Sequence, residues 1–218
     1  MIGVLLVLTF AAVGIAAAPP LTFTFTDVIA NKSALETDSY GINNAGTITG
    51  DYIDKHAIQH GMVLAGKKLT SFDYKKCAGG GITAYSINKA GAVAGSCLNK
   101  NGVYIGFTWD GAKFTDINFP KGIGTQVNGI NDRGDVAGQY FDAKGVQHAF
   151  VKLVGGKFTS FDWKGHTGAA ADGINNQGQI AGYAVNKSGG YEGFLKSGKT
   201  FKSMNNPNAG STGTIVNN

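Results

Sequence analysis

Charge is scarce in this chain: Asp, Glu, Lys and Arg make up 15% of 218 residues. Two of the acids are glutamates, Glu36 and Glu192, and most of the 12 aspartates fall in turns or near strand ends. No nucleophile has a base beside it, and serines such as Ser71 and Ser160 lack a nucleophile-elbow context, so no catalytic constellation is visible. Basic charge is almost all lysine, with a single arginine, Arg133, in a net charge of +5. Scattered lysine without arginine clusters excludes the usual footprint of a nucleic-acid binder. The four histidines, His56, His60, His148 and His166, show no close His/Cys spacing, so neither metal nor cofactor is expected. Helical periodicity is missing throughout. Beyond residue 18 no apolar run is long enough to span a bilayer.

What the chain has instead is the same sentence four times. Ile-Asn-x-x-Gly-x-(branched)-x-Gly begins at Ile42, Ile87, Ile130 and Ile174, at spacings of 43 to 45 residues. Its fixed positions are Asn43, Gly46 and Gly50; Asn88, Gly91 and Gly95; Asn131, Gly134 and Gly138; and Asn175, Gly178 and Gly182. These are read as structural anchors. Asn followed three residues later by Gly suits a turn in which Asn bonds its own backbone and Gly takes positive φ. The second Gly falls inside a strand, where it marks a bulge or a close backbone approach.

Each repeat divides into four short segments with Gly, Asn and Asp between them, which spells an up-and-down meander. Along the second segment Ile48, Gly50 and Tyr52 share one face and Thr49 the other, with Ala94, Ala137 and Ala181 at the equivalent place. Both faces are apolar or small, so neither was written to meet water, as the outside of a sandwich is. The expected fold is all-β: a β-propeller-like array of four-stranded antiparallel repeats, with four complete modules in four or five blades. The repeats fall at about 39–81, 82–124, 125–168 and 169–211, in a single domain over 19–218. Phe25-Thr26-Asp27-Val28 copies a fourth segment, and Thr214-Ile215-Val216-Asn217-Asn218 the start of a first.

Residues 1–18 are read as a signal peptide or N-terminal anchor, apolar or small and ending in Ala16-Ala17-Ala18. The two cysteines fit an oxidising compartment. Cys77, in a Gly-rich connection, and Cys97, near the end of a strand, come to the same end of one module and are expected to form a disulfide closing a loop of 20 residues. In the loop-entropy picture such a bridge is worth about 3 kcal/mol.

The Gly-Ile-Asn-x-x-Gly anchor, together with His148-Ala149-Phe150, resembles the HAF-repeat family of extracellular bacterial proteins over about residues 25 to 218. His-Ala-Phe is intact in the third module only; the others read His-Gly-Met, Ile-Gly-Phe and Glu-Gly-Phe. The resemblance implies secretion and a β-repeat architecture, and it implies no catalytic residues.

The expectation is an exported, non-catalytic binding or interaction module, secreted or held in the periplasm or at the cell surface of a bacterium. Its partner would be a glycan or an envelope protein, and not nucleic acid. Loops on a rigid β scaffold are the usual place for such a site. The candidates are the connections Lys75–Gly81, Lys121–Thr125, Lys164–Ala169 and Pro207–Thr212. Two alternatives stand beside this reading. One is a polysaccharide-acting hydrolase or lyase using carboxylates from several repeats, such as Asp73, Asp116 and Asp162. The other is a structural fragment of a larger surface protein.

Overall fold

A computed structural model describes residues 28, 30, 33–78 and 81–204. Residues 1–18, the segments copied at the two ends (apart from Val28) and Pro207–Thr212 lie outside the described residues. Among the described residues, sixteen strands form four antiparallel sheets. The first blade is β1 (Glu36–Ile42), β2 (Ile48–Ile53), β3 (Gln59–Ala65) and β4 (Lys68–Phe72). The second is β5 (Thr83–Ile87), β6 (Val93–Leu98), β7 (Tyr104–Trp109) and β8 (Phe114–Ile117). The third is β9 (Gly124–Ile130), β10 (Val136–Phe141), β11 (Gln147–Lys152) and β12 (Phe158–Phe161). The fourth is β13 (Gly168–Ile174), β14 (Ile180–Val185), β15 (Tyr191–Ser197) and β16 (Thr200–Ser203). Within each blade every strand pairs with its sequence neighbour, so the chain is a β-propeller-like series of meanders.

The turn chemistry is local and repeats from blade to blade. Asn131 Oδ1 accepts the amides of Arg133 and Asp135, both at 3.0 Å, while Gly134 sits at φ +85° where a Cβ would be strained. Asn43, Asn88 and Asn175 make the same pair of bonds. The hairpins between second and third strands use Asp54, Asn99, Asp142 and Asn186 in the same way.

The anchor Asn has a second task that turn chemistry does not require. Its amide nitrogen crosses to the next blade: Asn43 Nδ2 donates to the carbonyl of Asn88 at 3.0 Å, Asn88 to Asn131 at 3.1 Å, and Asn131 to Asn175 at 3.2 Å. Asn175, on the fourth blade, turns instead to Gln179 Oε1. One residue type therefore folds all four hairpins and stitches the first three to their neighbours.

Blades stack face to face, with β2 and β3 on β5, β6 and β7 on β9, and β10 and β11 on β13. Five of the six residues of β6 are buried, so both of its faces are covered. Aromatics from the end of β4, β8 and β12 or just after them fill the seams: Phe72 stacks on Trp109 at 4.3 Å, Phe119 on Tyr140 at 3.6 Å, and Phe161 meets Phe194 edge-on at 6.3 Å. Such pairs add about 1 kcal/mol beyond the area they bury. Cys77, in the connection from β4 to β5, is bonded to Cys97 on β6, with Cα atoms 5.4 Å apart.

Among the described residues no comparable packing joins the fourth blade back to the first. The anchor isoleucine records the consequence. Ile87, Ile130 and Ile174 are 6%, 5% and 3% exposed, because each lies behind a preceding blade, whereas Ile42 is 61% exposed.

Candidate functional site: a cavity lined by the inner strands

The first strand of each blade faces the others, β1 beside β5, β5 beside β9 and β9 beside β13. Between them lies a cavity of about 720 Å³ whose wall draws on all four blades. Its chemistry is set by a single backbone irregularity repeated four times. In the first blade Ser39 pairs with Gly50 and Gly41 with Thr49, which leaves Tyr40 as an extra, unpaired residue. The equivalent extra residues are Tyr85, Asn128 and Asp172. All four line the cavity.

The strand glycine explains why the bulge is there. A Cβ on Gly50, Gly95, Gly138 or Gly182 would stand 1.9, 2.2, 2.0 or 2.0 Å from a carbonyl oxygen of the first strand, far inside contact distance. Only glycine lets the bulged strand lie that close, and the bulge then re-aims one side chain per blade. The sequence expectation of a bulge or a close approach is met by both at once.

Aromatic and amide groups dominate the wall. Tyr40 and Tyr85 are 5.5 Å apart at a tilt of 57°. Asn128 Nδ2 donates to the carbonyl of Ala171 at 3.0 Å, Gln139 donates to Gln126, and Gln147 donates to Gln139 Oε1 at 2.9 Å and to Tyr183 Oη at 3.0 Å. Burial, with the nearby carboxylates of Asp51 and Asp38, pushes the Tyr40 phenol up to about 12. At the exposed rim, Asp132 accepts the Lys89 amide at 2.8 Å and Asn176 Nδ2 at 2.7 Å, so both of its oxygens are engaged. Just behind Tyr40, buried Asp51 accepts Gln59 Nε2 at 2.7 Å through Oδ2, while its Oδ1 has no partner among the described residues; burial raises this carboxyl to about 6.

Asp172 stands apart from these. No hydrogen bond or ion pair to its carboxylate occurs among the described residues, and burial alone pushes it up to about 7. Unfolded, this residue gives up its proton near pH 3.8; folded, it keeps it until about 7. The fold is therefore penalised progressively as pH rises from about 4 to about 7, and the penalty levels off above that. Asp172→Asn should stabilise the protein by about 2 kcal/mol at pH 7.5 and leave it unchanged at pH 4. Urea denaturation at the two pH values checks this, and a variant less stable at pH 7.5 would contradict it.

Other acids and histidines considered from sequence are placed elsewhere. Asp73 and Asp162 pair with His60 at 2.8 Å and His148 at 2.9 Å, and Asp116 accepts from Tyr74 and Lys76. These three aspartates belong to different blades and none lines the cavity. His60 and His148 lie against Tyr52 and Tyr140, and His166 stacks on Trp163 and contacts Glu192 at 3.0 Å. Among the described residues, the connections Lys75–Gly81, Lys121–Thr125 and Lys164–Ala169 contribute nothing to the wall, so this cavity is built from inner strands and not from those loops. Sequence reading missed Tyr40, Tyr85, Asn128 and Asp172. The available signal was their common place two residues before the anchor isoleucine, where the repeat stops repeating.

No family model and no curated protein matches the chain. Solved structures with a similar fold include a triple arginine-to-alanine mutant of AofleA from Arthrobotrys oligospora, 14% identical over 79% of this chain and 58% of that one, TM-score 0.49. A mutant of the Aleuria aurantia lectin in complex with Fucalpha1-6GlcNAc is 12% identical over 85% and 65%, TM-score 0.44. A further structure, described as a fungal lectin with a six-bladed β-propeller fold and a novel fucose recognition mode for Aleuria aurantia lectin, is 12% identical over the same shares, TM-score 0.43. The chain thus spans 58–65% of the length of these proteins.

Proposed function

We propose that this is an exported, non-catalytic carbohydrate-binding module that holds its ligand in the cavity between the inner strands. One observation carries the reading. The four repeats spend the same Asn, Gly and Ile residues on building the same bulge, yet the bulged residue itself is Tyr, Tyr, Asn and Asp. A position fixed by packing would repeat with its surroundings, whereas a position that shapes an asymmetric ligand need not. Tilted phenols offer faces for the C–H side of a sugar ring, and carboxamides and a carboxylate offer partners for its hydroxyls. The Cys77–Cys97 bridge supports an oxidising compartment, secreted, periplasmic or at the cell surface, which is where a glycan partner is met. A resemblance to extracellular HAF repeats supports the same placement.

Titration of the purified chain against sugars that score on a glycan array tests the proposal. Tyr85→Ala should weaken the best ligand about tenfold or more, the loss of one stacking face. Equal affinity of wild type and variant for every sugar would remove the cavity from the account.

A further inference from the structure

We infer that the ligand presents a protonated amine to Asp172, so that the cavity selects an amino sugar over neutral and acidic sugars. This rests on the proposed glycan site and specifies its charge. Asp172 is one of the four residues that the bulges turn into the cavity, and the other three, Tyr40, Tyr85 and Asn128, are uncharged. Its carboxylate has no donor among the described residues, although the amides around it are tied up: Asn128 to the carbonyl of Ala171, Gln139 to Gln126, and Gln147 to Tyr183. The remaining charges of the wall, Lys89 and Asp132, lie at its rim, and both oxygens of Asp132 are already taken.

A half-buried carboxylate that lines a cavity and has no donor of its own among the described residues is a costly group to keep unless something arrives to meet it. The match is an ammonium, which gives up the same water and brings the opposite charge, with tyrosine faces nearby to receive its remaining surface. Hydroxyls alone would satisfy the oxygens without compensating the charge. Long-range attraction cannot supply this preference, because the whole chain is positive, with 19 basic against 14 acidic residues. Selectivity for a cation has to come from the local contact.

Full-length wild-type protein and Asp172→Asn are compared at pH 7 on an array of amino, N-acetylated, neutral and uronic sugars. Both are then titrated with the β-1,4-linked tetramers of glucosamine, N-acetylglucosamine and glucose. The expected result is that the glucosamine tetramer binds wild type at least tenfold more tightly than the other two. Asp172→Asn should lose that preference, binding the glucosamine tetramer at least about tenfold more weakly than wild type. Highest affinity for neutral, N-acetylated or uronic sugars overturns the amine while leaving the glycan site standing. A preference for glucosamine that survives in Asp172→Asn overturns the role of this residue. Silence of wild type across all sugar classes overturns the glycan reading and this inference with it.

Discussion

Gly138→Ala is expected to cost about 3–4 kcal/mol and to close off part of the cavity between the inner strands. The added methyl would sit 2.0 Å from the carbonyl oxygen of Gln126 and 3.0 Å from the Cα of Val127. Both are backbone atoms in a paired strand, so no side chain can swing aside to make room. Relief requires β9 to draw away from β10 where Val127 and Gly129 flank the bulge, which dislodges Asn128 and its bond to Ala171. Loss at this single site is then a third or more of what a domain of this size usually has to spare. Gly145→Ala is the comparison that isolates the cause. Gly145 lies at φ +79° with open space around it, so that change carries only the left-handed backbone penalty of about 1 kcal/mol. Urea denaturation of the two variants should separate them by 2 kcal/mol or more, and equal stabilities would show that β9 yields easily. The same contrast is expected at Gly50, Gly95 and Gly182, whose close contacts are equivalent.

The repeat makes that site partly legible before any coordinates. Alternating short segments, turn residues at fixed offsets and strands with two water-avoiding faces are properties of a single chain segment, so they can be read from it, and the four sheets follow. Gly138 itself can be read as a bulge glycine because a strand position without a side chain needs a reason. What the bulge does cannot be read, since that depends on which way the extra residue turns and on three other strands turning theirs toward the same space. Tyr40, Tyr85, Asn128 and Asp172 are 43 to 45 residues apart in sequence and look like ordinary strand residues there. The same limit hides the stitch. Asn131 is legible as a turn residue through Oδ1, a contact two and four residues away, but its Nδ2 bond is to a carbonyl 44 residues on.

That double use makes Asn131→Ala the most informative polar substitution in the protein. Asn131 is fully buried, and alanine would remove the acceptor for the amides of Arg133 and Asp135, the donor to the carbonyl of Asn175, and a donor to Asp135 Oδ2 at 2.9 Å. Asp135 is itself buried; it keeps Arg133 and the Val154 amide as partners, so its charge stays compensated. The uncompensated losses are two backbone amides in a tight turn, while the carbonyl of Asn175 loses one of two donors and keeps the Gly178 amide, for an expected cost of about 3 kcal/mol. Asn43→Ala removes the same kinds of bond at a half-buried position, where water replaces most of them, and should cost about 1 kcal/mol. Hydrogen exchange distinguishes the two functions of the side chain. Asn131→Ala should expose the Arg133 and Asp135 amides, whereas Asn131→Asp, which keeps Oδ1, should protect them while still losing the donor that reaches Asn175. If Asn131→Asp proves as stable as wild type, the Asn131–Asn175 bond contributes nothing, and the apolar seam with the other cross-blade bonds, such as Asn128 to Ala171 and Asn176 to Asp132, holds the third and fourth blades together.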